Sequence, residues 1–205
     1  MSAEKLYTPP QRYTVDDFFT LVRDDEKADL IDGVIHVASP DSLVNDSLTN
    51  FLHFLLAGYA DERGLGTVVG SRFAFVLSEF RAPEPDVAFV SVERSSILQR
   101  TRALGAPDLA VEIVSEESRA RDYAEKRVLY ERAGVREYWI IDPARRHGEF
   151  LRLADNSFAP IATASEHYFH SSVVPGFWLD LRWLWESPLP RRLDCLNLIL
   201  SGPPR

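Results

Sequence analysis

Cysteine is almost absent from this chain, which has one, Cys195, in 205 residues. An internal disulfide and a cysteine-held zinc cluster are therefore excluded, and a reducing, cytoplasmic location is expected. Long apolar runs are also missing. The start Met-Ser-Ala-Glu-Lys5 has no signal-peptide stretch and no run is long enough for a bilayer, so a soluble protein without a membrane partner is expected. No internal repeat is visible. Basic residues are outnumbered, 23 Lys and Arg against 31 Asp and Glu, a net charge of −8, which repels nucleic acid at long range. The deficit is uneven. Residues 1–50 hold four basic and ten acidic residues, whereas 94–136 hold nine and seven. Arg100, Arg102, Arg119, Arg121 and Arg127 are candidate phosphate contacts in that second stretch.

What is present is enough apolar material, 45% of residues, for one substantial core. Thr14-Val-Asp-Asp17 reads as a capping box opening a helix. Asp32-Gly33 turns a hairpin between Leu30-Ile31 and Val34–Val37. Leu48, Phe51, Leu52, Leu55 and Leu56 recur at helical spacing between Leu43 and about Glu62, with Gly64 after the end. Strands are expected over Thr67–Leu77, Asp86–Val92, Leu109–Ser115 and Glu137–Ile141, and a hairpin over Glu149–Phe158. A helix is expected from near Ser118 to Ala133, stopped by Gly134. The whole predicts an α/β domain, a mixed sheet flanked by helices with an N-terminal helix and hairpin, over residues 1–185, and a C-terminal tail over 186–205. That tail is expected to be mobile at its Ser-Gly-Pro-Pro-Arg end, while Leu196–Leu200 is apolar enough to dock.

Three polar residues stand out on apolar elements. Glu112 lies in the middle of a hydrophobic strand, on the face shared by Ala110 and Val114, where an ionised carboxylate needs a partner. Asp86 follows the stiff Pro83-Glu-Pro85 at the start of another strand. Lys126 falls on the inner stripe of the following helix with Tyr123, Leu129, Tyr130 and Ala133. If the strands are neighbours, Asp86 and Glu112 form a hard-oxygen site suited to Mg2+ or Mn2+, with Lys126 placed to orient water and offset charge on a phosphate. Each residue alone has a structural alternative: a turn cap for Asp86, an ion pair for Glu112, an Asp122 partner for Lys126. His167 and His170, His53, and Trp178, Trp183 and Trp185 are read as surface or packing residues. Asp16-Asp17 and Asp24-Asp-Glu26 are read as solvated helix charges.

The chain resembles the Uma-type family of predicted bacterial endonucleases, within the PD-(D/E)XK or restriction endonuclease-like superfamily, over about residues 12–185. The matching segments are Asp29-Leu-Ile-Asp-Gly33, Pro85–Val90, Gly105–Val114, Asp122–Lys126, Tyr130–Val135, Glu137–Pro143 and Val174-Pro-Gly176. The resemblance implies a metal pair at Asp86 and Glu112, a catalytic lysine at Lys126, and Asp29 as an accessory acidic residue where relatives tend to carry Glu. Superfamily members commonly place the lysine two residues after the second carboxylate, where Val114 stands, and this family takes it from the next helix. Asn45 stands where relatives often have a His before the second helix, and Ser115-Glu-Glu-Ser118 replaces a usual Ser-Pro-Ser. The expected activity is Mg2+- or Mn2+-dependent hydrolysis of DNA by in-line attack of metal-bound water, and a homodimer is compatible with it. The competing readings are a noncatalytic nuclease-fold binding or assembly module and a hydrolase of small phosphoesters.

Overall fold

In a computed structural model of the chain, which describes residues 12–23, 25–161 and 167–203, a six-stranded mixed sheet forms the centre. The expectations for Met1–Lys5, Asp24 and the last two residues lie outside the described residues. The described residues open with α1 (Val15–Leu21), where the Thr14 hydroxyl accepts from Asp17 N and the Asp17 carboxylate accepts from Thr14 N, the reciprocal cap expected from the sequence. The hairpin β1 (Ala28–Ile31) and β2 (Val34–Val37) follows, with Asp32 and Gly33 both at positive φ, as a tight hairpin turn requires. Next comes α2 (Leu43–Arg63), capped by Ser42 and ended by Gly64 in the left-handed region.

The expected strand over Thr67–Leu77 is instead two strands. β3 (Gly66–Gly70) joins the central sheet, whereas β4 (Ala74–Val76) pairs with β6 (Arg102–Leu104) in a small parallel sheet. Arg72 at φ 68 breaks the extended run between them. Central strands β5 (Val87–Ser91) and β7 (Leu109–Ile113) are antiparallel neighbours. The next strand, β8 (Glu137–Asp142), is parallel to β7, and the helix between them supplies the crossover a parallel pair needs. That helix has a wide π turn over Arg121–Lys126 before α3 (Arg127–Ala133). The hairpin β9 (His147–Ala154) and β10 (Ser157–Pro160) completes the sheet, in the order β10-β9-β8-β7-β5-β3.

Strand alternation divides the core. Leu109, Val111 and Ile113 face α2, packing with Phe51, Leu52 and Leu55, while Ala110 and Val114 face α3, packing with Leu129 and Tyr130. Trp178 and Trp183 are buried and Trp185 packs against the same cluster, near the β11 (Tyr168–His170) and β12 (Trp178–Asp180) pair, so the tryptophans serve packing as expected. At the C-terminal end, α4 (Arg192–Leu200) lies on α2, burying Cys195, Leu196 and Ile199, and Arg63 Nη2 donates to the Leu200 carbonyl at 2.9 Å.

Candidate active site

Beside a backbone bridge between Leu30 and Ala82, a second hydrogen-bond exchange holds the N-terminal hairpin to the segment that leads into β5. Glu84 N donates to Asp29 Oδ1 at 2.8 Å, and Ala28 N donates to Glu84 Oε2 at 3.1 Å, so β1 and the segment before β5 clamp each other. Period two in extended chain then places Lys27 with Asp29 on one side and Glu84 with Asp86 on the other. The junction is a cleft of about 400 Å3, lined by Lys27, Asp29, Asn45, Asp86, Glu112, Asp122 and Lys126 among others.

Asp86, Glu112, Lys126 and Asp29, the four residues singled out in the sequence, thus share one cavity. Lys126 Nζ stands 2.9 Å from Glu112 Oε1, 2.9 Å from Asp29 Oδ2 and 3.8 Å from Asp122 Oδ1, with its side chain only 3% exposed. Tyr130 donates its hydroxyl to Glu112 Oε1 at 2.8 Å. Asp86 is tied on the other side: Oδ2 accepts from Ile113 N at 2.7 Å and Oδ1 pairs with the Lys27 ammonium. The π turn has its own anchor, since the Asp122 carbonyl accepts the Tyr138 hydroxyl at 2.9 Å. A widened turn leaves backbone groups for such outside partners.

Charge in this cleft is unbalanced. Four buried carboxylates, on Asp29, Asp86, Glu112 and Asp122, face two lysines and the Arg121 guanidinium. Burial pushes Glu112 up to about 8, against the pull of Lys126 and with the help of Asp86 and Asp122. Burial likewise raises Asp122, although Lys126 and the Ser118 hydroxyl oppose it. Asp29 also suffers from burial, yet Lys126, Lys27 and the Glu84 N–H outweigh it and hold the carboxyl below its usual range. For Lys126 burial disfavours the charge, but Asp29 and Glu112 dominate and keep the amine protonated. Glu84, at the rim of the cluster, is raised to about 7 by burial.

The donor set fits a hard divalent cation. Asp86 and Glu112 offer carboxylate oxygens in a buried cleft, and Asp122 Oδ1 is buried there without a hydrogen-bond partner. Among the described residues no group of three or more His, Cys, Asp or Glu forms a ready metal cage. Mg2+ does not need one, because it keeps much of its water and takes one or two carboxylates.

Other expectations were redirected by packing. Asn45 lies inside the first turn of α2, not before it, and its Nδ2 donates to the Val114 carbonyl at 3.3 Å at the cleft wall. Of the candidate phosphate contacts, Arg119 is paired with Asp142 at 3.1 Å, Arg127 with Glu149 at 3.5 Å, and Arg102 stacks over the Phe19 ring. Arg121 lines the cleft 3.8 Å from Asp29, and Arg100 is exposed. Lys27 and Glu84 were not singled out in the sequence. Their signal was there, since each sits two residues before an acidic residue of the site and therefore on its face.

A family model described as "Uma2: Putative restriction endonuclease" matches residues 15–182. No curated protein matches the chain. Among solved structures, the chain is similar to a putative nuclease belonging to DUF820 from Anabaena variabilis ATCC 29413, with a TM-score of 0.69 and 15% identity over 84% of this chain and 97% of that one. That likeness shows the fold.

Proposed function

The chain belongs to the Uma2 family of restriction endonuclease-like proteins, and we propose that it is a Mg2+- or Mn2+-dependent endonuclease hydrolysing phosphodiester bonds of DNA. The observation that carries the proposal is the convergence of Asp86, Glu112 and Lys126 in one cleft, from the residue that leads into β5, the antiparallel neighbour β7 and the π turn that follows it. Asp86 and Glu112 would hold the cation. When bound, it would polarise the phosphate and lower the pKa of a water.

The protein's own groups supply the rest. Lys126 stays protonated among its carboxylates, so its role is electrostatic: Nζ donates to the attacking water or to the phosphate oxygen on which negative charge grows. It is not a general base in this setting. Asp29, held ionised by Lys126 and by the Glu84 N–H, fixes the ammonium together with Glu112. Water would attack phosphorus in line with the leaving oxygen, giving up its proton to solvent, while the opposite P–O bond breaks and the leaving oxygen takes a proton from solvent.

The test is a cleavage screen on single-stranded, duplex and branched DNA and on RNA, in Mg2+, Mn2+ or EDTA. DNA cleavage that requires the cation and falls by roughly a hundredfold or more in Asp86→Asn is expected. Cleavage undiminished in EDTA, or none by the wild type on any substrate, overturns the proposal. One observation favours a noncatalytic binding module as the second reading: the Lys27 ammonium already occupies Asp86 Oδ1, where a cation would bind. Nucleic-acid binding by a wild type that never cleaves would support it.

A further inference from the structure

Asp86 presents two oxygens to the cleft, and neither is free. The bond to Oδ2 comes from Ile113 N–H, a backbone donor fixed by its place in β7. The bond to Oδ1 comes from Lys27, whose side chain has four rotatable carbons and is 20% exposed. Only the second partner has freedom to leave. An ammonium and a divalent cation on one carboxylate oxygen would sit at contact distance in a poorly screened site, where like charges repel strongly. The other lysine of the cluster has no such freedom, because Lys126 is 3% exposed and held by Asp29 and Glu112 at 2.9 Å each.

We propose that Lys27 is a displaceable counter-ion: it closes Asp86 while no divalent cation is bound, yields Oδ1 when one enters, and then turns its ammonium to the phosphodiester in the same cleft. The last step rests on the nuclease reading; the first two need only a cation site at Asp86. The arrangement explains why two lysines share four carboxylates. One is a permanent member of the cluster, and the other keeps Asp86 from lying bare beside Glu112, where an unpaired buried charge would be costly. Displacing it also delivers a positive group to the cleft mouth as the substrate's negative charge arrives.

The proposal predicts opposite effects of one substitution. Lys27→Met removes the competitor, so Mn2+ titrated calorimetrically into the variant should bind roughly tenfold tighter than into wild type. Cleavage of plasmid DNA at saturating Mn2+ should fall in the same variant. In an Asp86→Asn background the affinity gain should vanish, since the two effects run through one oxygen. A general loss of positive charge would not require Asp86.

A measurement on the wild type needs no variant to fold. Acetylation of lysines by an N-hydroxysuccinimide ester, read by mass spectrometry, should modify Lys27 slowly in EDTA and several-fold faster in Mg2+, with Lys126 protected in both. Calorimetric cation binding at Asp86 with unchanged Lys27 acetylation, or equal or weaker Mn2+ affinity in folded Lys27→Met, overturns the inference and leaves the nuclease reading standing. Release of Lys27 by Mg2+ without cleavage of any nucleic acid upholds the counter-ion and sinks the nuclease. No cation binding by the wild type sinks both.

Discussion

Tyr130 donates its hydroxyl to Glu112 Oε1 across 2.8 Å, both groups buried, so the oxygen that meets Lys126 is also fixed from one helical turn further on. The pair gives the carboxylate a defined orientation before any cation arrives. Tyr130→Phe keeps the edge contact of this ring with Tyr138, whose centroid lies 5.0 Å away, and removes only the donor. A stability loss of about 1–2 kcal/mol is expected for a buried acceptor losing one partner. Mn2+ affinity should weaken about tenfold, the lower end for removing a ligand's outer partner. Urea unfolding and Mn2+ titration check both; wild-type values in each would remove Tyr130 from the site.

Lys126 compensates Asp29 and Glu112 directly, so Lys126→Met takes from two enclosed carboxyls the cation nearest to each. The expected cost without metal is about 3–5 kcal/mol, as for breaking a buried pair on one side. Millimolar Mn2+ should recover more stability in Lys126→Met than in wild type, because the cation then meets an uncompensated site. Equal Mn2+ responses, measured by urea unfolding in Mn2+ and in EDTA, would show that the cation binds elsewhere.

Local patterns carried much of the fold in the sequence, and contacts between distant segments carried what was missed. The Thr14 to Asp17 cap, the Asp32-Gly33 turn and the apolar spacing of α2 are decided within a few residues. So is the face of Glu112, which alternation with Val111 and Ile113 fixes. The Lys27 to Asp86 pair spans 59 positions and depends on the hairpin docking through Asp29 and Glu84. No periodicity reports such an event. The break at Arg72 depends on one backbone angle within an otherwise strand-like run, and the π turn is hidden because Leu129 and Tyr130 keep ordinary helical spacing from Lys126, its last residue.

Asp108 anchors the start of β7 and so the position of Glu112 four residues on. It accepts from Ser91 N at 2.8 Å and pairs with Arg94 and Arg136 at 3.0 Å each, with no exposed surface. Burial works against its charge, yet the Ser91 N–H and the two guanidinium groups prevail and hold its carboxyl below the ordinary 3.8. A lowered folded value means the stabilisation is complete above 3.8 and fades as pH falls through the folded value. Asp108→Asn should therefore be less stable at neutral pH by about 2 kcal/mol, and the gap should narrow in acid. A gap that stays constant from pH 7 down to the acid transition would mean the charge contributes nothing.

The cation site itself makes the last prediction. A ligand that binds only the folded chain stabilises it by an amount set by concentration over Kd, about 2.7 kcal/mol at a hundredfold excess. For a chain of this size that is a rise in Tm of roughly 5–10 °C. Wild type should show such a rise with Mn2+. Asp86→Ala should show little, because it removes one of the two carboxylates proposed as ligands, whereas His170→Ala, at an exposed position on β11, should respond like wild type. Glu112→Gln distinguishes ligand from charge: it keeps an oxygen for Lys126 and Tyr130 but loses the carboxylate, so a fold that melts normally yet ignores Mn2+ is expected. An equal rise in wild type, Asp86→Ala and Glu112→Gln would place the Mn2+ outside this cleft and remove the pair from the mechanism.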